Sequence, residues 1–218
     1  MHLEMISNLG RKKLAIAGWC LAAVWLVAVL AGFAVVINYD LQPGEAAVAP
    51  RQRPAGTASP LAADRPTLML FAHPRCPCTR ATLVELNHIL TACPGTADIR
   101  IYFATPENPT AEWTKTTLWN DATALSGTTA VADPGGALAR QFDVKTSGHV
   151  LLYSADAKLL YSGGITAARG EEGANPGRSA IVALLKGHPG VEPESQVFGC
   201  PLFNPLDSCT SAKTCPTP

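Results

Sequence analysis

The rhythm of apolar and polar positions divides this chain into four stretches. From Leu14 to Ile37 there is no charged residue. These 24 positions, as a helix, are long enough to cross a hydrocarbon core of about 30 Å. From residue 38 to 66 the apolar period disappears, and Pro43, Pro50, Pro54, Pro60 and Pro66 punctuate an Ala- and Gly-rich stretch, which reads as a semi-extended linker. From 67 to 187 short apolar runs alternate with helical periods. From 188 to 218 Pro, Gly and Cys dominate, and the pattern predicts an irregular, disulfide-stapled or metal-bound tail.

Within residues 67–187, Thr67–Ala72, Ile99–Ala104, Thr128–Ala132, His149–Ser154 and Lys158–Ser162 are short and rich in β-branched and aromatic residues, which predicts strands. Helices are predicted over Thr79–Ala92, Thr110–Ala124, Gly135–Phe142 and Asn175–Lys186. In the first, Leu83, Leu86, Ile89 and Leu90 share one face; in the last, Ile181, Leu184 and Leu185 do so after Pro176, which suits a helix start. Ala155-Asp156-Ala157 joins the final two strands as a hairpin turn. Alternating strands and helices predict an α/β fold, a mixed sheet flanked by helices, with reactive groups at the carboxyl ends of its strands.

Charge sets the orientation of the apolar span. Arg11, Lys12 and Lys13 precede it, and no Lys or Arg follows until Arg51. The positive-inside rule keeps residues 1–13 cytoplasmic and sends the rest outward. We therefore expect an uncleaved anchor over 14–37, with the folded domain on the extracytoplasmic side; a cleaved signal is the alternative. Cys20 lies within the span and reads as a membrane-buried thiol. Equal numbers of basic and acidic residues, 17 of each, give no electrostatic case for nucleic acid.

The remaining six cysteines are Cys76, Cys78, Cys93, Cys200, Cys209 and Cys215. An even number in an exported segment fits a disulfide-permissive compartment. Cys76 and Cys78 stand where the first strand ends and the first helix of the domain begins. Unpaired N–H groups and partial positive charge at a helix start favour thiolate, the form that attacks disulfides and binds soft metals. Arg75 beside Cys76 and His73 three residues back are placed to support that charge, and the strand–helix loop is expected to leave the sulfur accessible. On a regular helix positions two apart point to nearly opposite faces, so a Cys76–Cys78 bond needs a distorted turn. Cys93 or Cys200 is the alternative resolving thiol. For Cys93, before Pro94-Gly95, a structural role is the default. For Cys200 it is a staple to Cys209 or Cys215.

Three patches in this order resemble the thioredoxin-like fold, in its peroxiredoxin and membrane-anchored thiol-oxidoreductase branch: Phe71 to Leu86, including Cys76-Pro77 and Arg80-Ala81-Thr82-Leu83-Val84-Glu85-Leu86; Asp133 to Val144; and the hairpin His149 to Gly164. The chain is also similar to the RedB group of bacterial membrane-anchored proteins, through Thr146-Ser147-Gly148-His149, Gly163 to Gly170 and Phe198-Gly199-Cys200-Pro201-Leu202. The resemblance implies that Cys76 takes the attacking position and that Pro77 matches the proline after it. It departs from the family in two ways. Thr79 stands where the second cysteine would be, which displaces Cys78 by one. Ser147-Gly148-His149 replaces the proline that faces the sulfur pair, with Gly148 permitting close backbone approach and His149 near the site. His73, Pro74 and Arg75 replace the threonine expected before a peroxidatic cysteine, which argues against a peroxidase.

These readings lead to a membrane-tethered thiol–disulfide oxidoreductase. Cys76 attacks, Cys78 resolves, and His73 and His149 tune or gate. No organic cofactor is implied; a redox partner protein or thiol substrate is. The competing readings are copper(I) binding by Cys76 and Cys78 with His73 or His149, and an anchored binding domain in which the cysteines are structural. Arg169, Glu171 and Glu172, in the Gly-rich loop after the hairpin, read as solvated. Trp113 and Trp119, six apart, fit no single helix face.

Overall fold

The computed structural model describes residues 2–54, 64–188 and 190–203, with side chains from residue 16 onward. The chain divides into two compact units, residues 1–41 and 42–218. The first is one helix, α1, His2–Asp40. Its segment Ile16–Asp40 has a mean hydropathy of 2.8 and is long and apolar enough to span a membrane, in keeping with an anchor.

The second unit is built on five strands. They are β1 (Thr67–Ala72), β2 (Asp98–Thr105), β3 (Thr128–Pro134), β4 (His149–Tyr153) and β5 (Leu159–Gly163), in the spatial order β3-β2-β1-β4-β5. β1 pairs parallel with β2 and β2 with β3, while β4 and β5 are antiparallel additions on the other side of β1. The helices are α2 (Thr79–Ala92), α3 (Ala111–Thr114), α4 (Thr117–Ala124), α5 (Ala137–Gln141) and α6 (Pro176–Leu185). This is the mixed, helix-flanked sheet that the alternation of strands and helices predicts.

Alternation along β1 explains why the sheet is buried on both faces. Leu68, Leu70 and Ala72 point into a core shared with Leu83, Leu86 and Ile89 of α2, Leu118 of α4 and Ile181 of α6. Met69 and Phe71 point the opposite way, against Tyr102, Phe142, Leu151 and Tyr153. Burying each such side chain contributes about 1.5–3 kcal/mol. Within the first core two helices are tied together at depth by Glu85, which is fully buried on α2. It accepts hydrogen bonds from Gly173 N, Asn175 Nδ2 and the Arg178 guanidinium, and so pins α6 to α2.

Two expectations are corrected. The helix foreseen over residues 110–124 is broken: Thr116 is extended (φ −74°, ψ 157°), and its side chain caps α4 by accepting from Trp119 N. The break resolves the awkward tryptophan spacing. Trp119 packs on Phe103, whereas Trp113 packs edge-on against His73. Second, the part of residues 38–66 from Gly44 to Arg53 is no free spacer. Gly44 N donates to Val197 O, Leu159 N to Arg51 O and Arg53 N to Ala157 O. The Tyr153 hydroxyl donates to Pro50 O, and Ala47 and Ala49 join the second core. Apolar alanines and free backbone groups beside the open edge of β5 make this strap favourable.

Candidate functional site

The site lies at the carboxyl end of β1, as the sequence order requires. After Ala72 the chain makes two tight turns before α2: Cys76 N donates to His73 O (3.1 Å), and Thr79 N to Cys76 O (3.1 Å). Cys78 is the N-cap of α2 and already has helical dihedrals (φ −66°, ψ −25°). Cys76 thus lies outside the regular helix, which removes the opposite-face restriction expected for residues two apart.

A third sulfur completes the group. The segment Gly199–Leu202 lies along residues 145–147: Ser147 N donates to Cys200 O (2.8 Å), Leu202 N to Lys145 O (2.8 Å), and Thr146 bridges Pro201. Gly199 is required for this approach, because a Cβ there would run into the Ser147 carbonyl. The result brings the Sγ atoms of Cys76, Cys78 and Cys200 within 4.8 Å of one another. None of the described cysteines is in a disulfide.

Cys76 is 1% exposed, which corrects the expectation of an open sulfur. Burial by itself pushes its thiol up, but hydrogen bonds from the Cys200 thiol and N–H, the Thr79 hydroxyl and the Cys78 N–H outweigh it and hold Cys76 below the ordinary thiol range. Thr79 is oriented in turn. Its Oγ1 lies 3.0 Å from Ser147 Oγ, which accepts from His73 N at 2.9 Å. With one proton per hydroxyl, Ser147 donates to Thr79 when Thr79 donates to Cys76. Burial, and then the neighbouring Cys76 charge, push Cys78 up. Burial and the hydrogen bond to Cys76 push Cys200 to about 12. Arg169 opposes both shifts through its charge, and it donates to Gly199 O. It is therefore part of the site and not a solvated loop residue.

The other candidates fall elsewhere. Arg75 turns outward over the Trp113 ring, 4.4 Å from its centroid, and is not among the groups that lower the Cys76 pKa. His73 Nδ1 accepts from Arg75 N, and burial followed by the Arg75 charge lowers its pKa, so it is neutral. His149 is 2% exposed and is bonded through Nε2 to Ser162 Oγ (2.9 Å). It lines a cavity of about 440 Å³ with Pro43, Gly44 and Val197. Burial pushes its pKa down to about 4. Neither histidine belongs to the sulfur group. Gly148 (φ +92°) is approached by Thr82 Oγ1, 3.1 Å from where a Cβ would stand, and by Phe198 O at 3.8 Å, rather than by the sulfurs. Pro77 is exposed in the turn between the cysteines. Cys93 caps the far end of α2 with its thiol toward Val182 O. A helix of 14 residues separates it from Cys78 by about 20 Å, so it cannot resolve Cys76. Cys209 and Cys215 lie outside the described residues.

Sequence reasoning missed Ser147, Thr79 as a donor, and Arg169. A signal existed: residues 146–149 and 198–202 were singled out separately, and they are the two segments that pair.

No family model matches the chain, and no curated protein does. Solved structures do. An uncharacterized conserved protein from Geobacillus kaustophilus aligns with TM-score 0.53 and 18% identity, covering 76% of this chain and 94% of that one. A hypothetical protein from Sinorhizobium meliloti aligns with TM-score 0.52 and 19% identity, over 74% of this chain and 93% of that one. The exposed lipoprotein thioredoxin of Streptococcus pneumoniae aligns with TM-score 0.42 and 16% identity, over 56% and 84%. At such identities the likeness is one of fold, and the chemistry has to be argued from the sulfurs themselves.

Proposed function

We propose that the protein is a membrane-tethered thiol–disulfide oxidoreductase whose domain faces an extracytoplasmic space, in the inner membrane of a bacterium. The observation that carries this reading is the cluster of three reduced sulfurs, of which one has its thiol pKa lowered by four hydrogen bonds. The Cys76 thiolate attacks a substrate disulfide, and a mixed disulfide forms as the first substrate thiolate leaves. Cys78 or Cys200 then gives up its proton and attacks Cys76 Sγ. The second substrate thiol leaves, and an internal disulfide remains. Two electrons have passed from the protein to the substrate, and a redox partner protein must return them; the cycle runs in reverse for an oxidase.

Access to Cys76 is gated. Cys76 is among the residues lining a surface cleft of about 610 Å³, with Pro74, Arg75, Pro77, Arg80 and Lys115, yet it is only 1% exposed. Cys78 and Cys200, each partly exposed, are the outer sulfurs. Displacing the Gly199–Leu202 segment uncovers Cys76, so turnover is slower than at an open thiol. No organic cofactor enters this scheme.

The test is a disulfide-exchange assay on the full chain, with a small dye-labelled disulfide as substrate. Exchange is expected in the native protein and is lost in Cys76→Ser. Equal rates for native protein and Cys76→Ser, or no exchange by either, overturn the reading in favour of an anchored, non-catalytic domain.

A further inference from the structure

A sulfur cluster of this shape has a second chemistry. Three thiols come from separate places in the sequence: a turn after β1, the cap of α2 and the docked tail segment. Soft thiolate donors select soft ions, of which Cu(I) and Zn(II) are the common ones. The two differ in how many donors they need. A structural zinc site is closed by four protein ligands. Among the described residues the group offers three sulfurs and no fourth nitrogen or carboxylate. Neither His73, whose Nδ1 accepts from Arg75 N, nor His149, whose Nε2 is bonded to Ser162, falls within that group. Copper(I) is satisfied by three soft donors.

The spacing suits such an ion. With a metal–sulfur distance of about 2.3 Å, as for zinc thiolates, a planar three-sulfur site has sulfurs about 4 Å apart. The three Sγ atoms are already within 4.8 Å of one another, so closure requires sub-ångström movements of side chains. Three thiolates and one monovalent cation leave two negative charges. Arg169, whose charge acts on both Cys78 and Cys200 and whose guanidinium is anchored to Gly199 O, lies where it offsets one of them. Cys78 and Cys200 are each partly exposed, which gives the ion an entry path.

We propose that the reduced protein binds one Cu(I) through Cys76, Cys78 and Cys200, with no histidine ligand. Binding displaces the protons still carried by the thiols and involves no change in copper oxidation state. The same sulfurs, once joined in a disulfide, cannot bind. Copper loading and thiol exchange are therefore mutually exclusive states of one site. The inference rests on the cluster alone and stands whether or not the protein exchanges disulfides.

The experiment uses the full chain in detergent, reduced and under anaerobic conditions, with Cys20→Ser, Cys209→Ser and Cys215→Ser to remove other thiols. Cu(I) is titrated against a chromogenic chelator, Zn(II) is tested in parallel, and the copper coordination shell is read by X-ray absorption. One equivalent of Cu(I) in an all-sulfur, three-coordinate shell is expected. Cys78→Ser and Cys200→Ser should each weaken binding by at least tenfold, and Cys93→Ser should leave it unchanged. Two separate ligand variants keep the test sound should one fail to fold. The proposal is overturned by a nitrogen-containing shell, by Zn(II) displacing Cu(I), by Cys200→Ser binding as tightly as its parent, or by no retention against the chelator. Loss of disulfide exchange in Cys76→Ser tests the exchange reaction and does not bear on the copper stoichiometry or shell.

Discussion

Replacing Thr79 by valine isolates the hydrogen-bond chain that lowers the Cys76 thiol pKa. Thr79 is 1% exposed at the first position of α2, and valine keeps its shape while removing the hydroxyl. The hydroxyl donates to Cys76, and Ser147 stands 3.0 Å behind it. A hydrogen bond to a charged group contributes about 1.5–3 kcal/mol. At 1.36 kcal/mol per pH unit, its loss raises the first thiol titration of the cluster by about one to two pH units. Because the three sulfurs titrate together, the measured quantity is the first macroscopic midpoint of the group. Cysteine Cβ chemical shifts followed by NMR against pH in the reduced protein report it. Thr79→Ser should restore the native midpoint, since it restores the donor. An unchanged or lowered midpoint in Thr79→Val would refute the hydrogen-bond argument.

Other consequences follow from the same geometry. His149 is neutral in the folded state, with its pKa pushed down to about 4 from 6.5 by burial. Its contribution to stability is complete above pH 6.5 and is lost as pH falls toward 4, because only the unfolded chain takes up the proton. The gap corresponds to about 3 kcal/mol. His149→Gln should flatten this acid limb in urea titrations between those pH values; an identical limb would contradict the account. Arg178→Ala leaves the fully buried Glu85 carboxylate without its cation. Loss of one partner of a buried pair costs about 3–5 kcal/mol, which a denaturant midpoint will show; a change below 1 kcal/mol, on the order of a surface ion pair, would contradict the clamp. Gly199→Ala introduces a Cβ against the Ser147 carbonyl. The tail segment should detach, and alkylation of Cys76 should become faster; slower or equal alkylation would show that the tail is not the gate.

Local periodicity made the framework legible. The apolar runs at β1 and β4, the Leu83–Leu86–Ile89 face of α2 and the proline start of α6 each carry their own signal within about ten residues. The position of Cys76 and Cys78 at a strand–helix junction followed from the same order. What was hidden depends on distant pairing. The break at Thr116 turns on a side-chain cap and on two tryptophans finding different partners. The strap from Gly44 to Arg53 has a loop's composition, and only its backbone bonds to β5 and to the hairpin turn reveal it. Most importantly, Cys200 reaches Cys76 because Gly199–Leu202 finds residues 145–147, more than fifty positions away. No local rule encodes that meeting. Residue type alone also misassigned Arg75 and the histidines: a cation and an imidazole near a cysteine suggest activation, yet packing on Trp113 and a bond to Ser162 draw Arg75 and His149 away.

The account rests on three sulfurs acting as one centre, and mass mapping of disulfides in the full chain tests it most directly. After mild oxidation, one disulfide should form within the set Cys76, Cys78 and Cys200, and it should disappear on reduction and return on reoxidation. A permanent link from Cys200 to Cys209 or Cys215, with Cys76 and Cys78 left as inert thiols throughout, would contradict it.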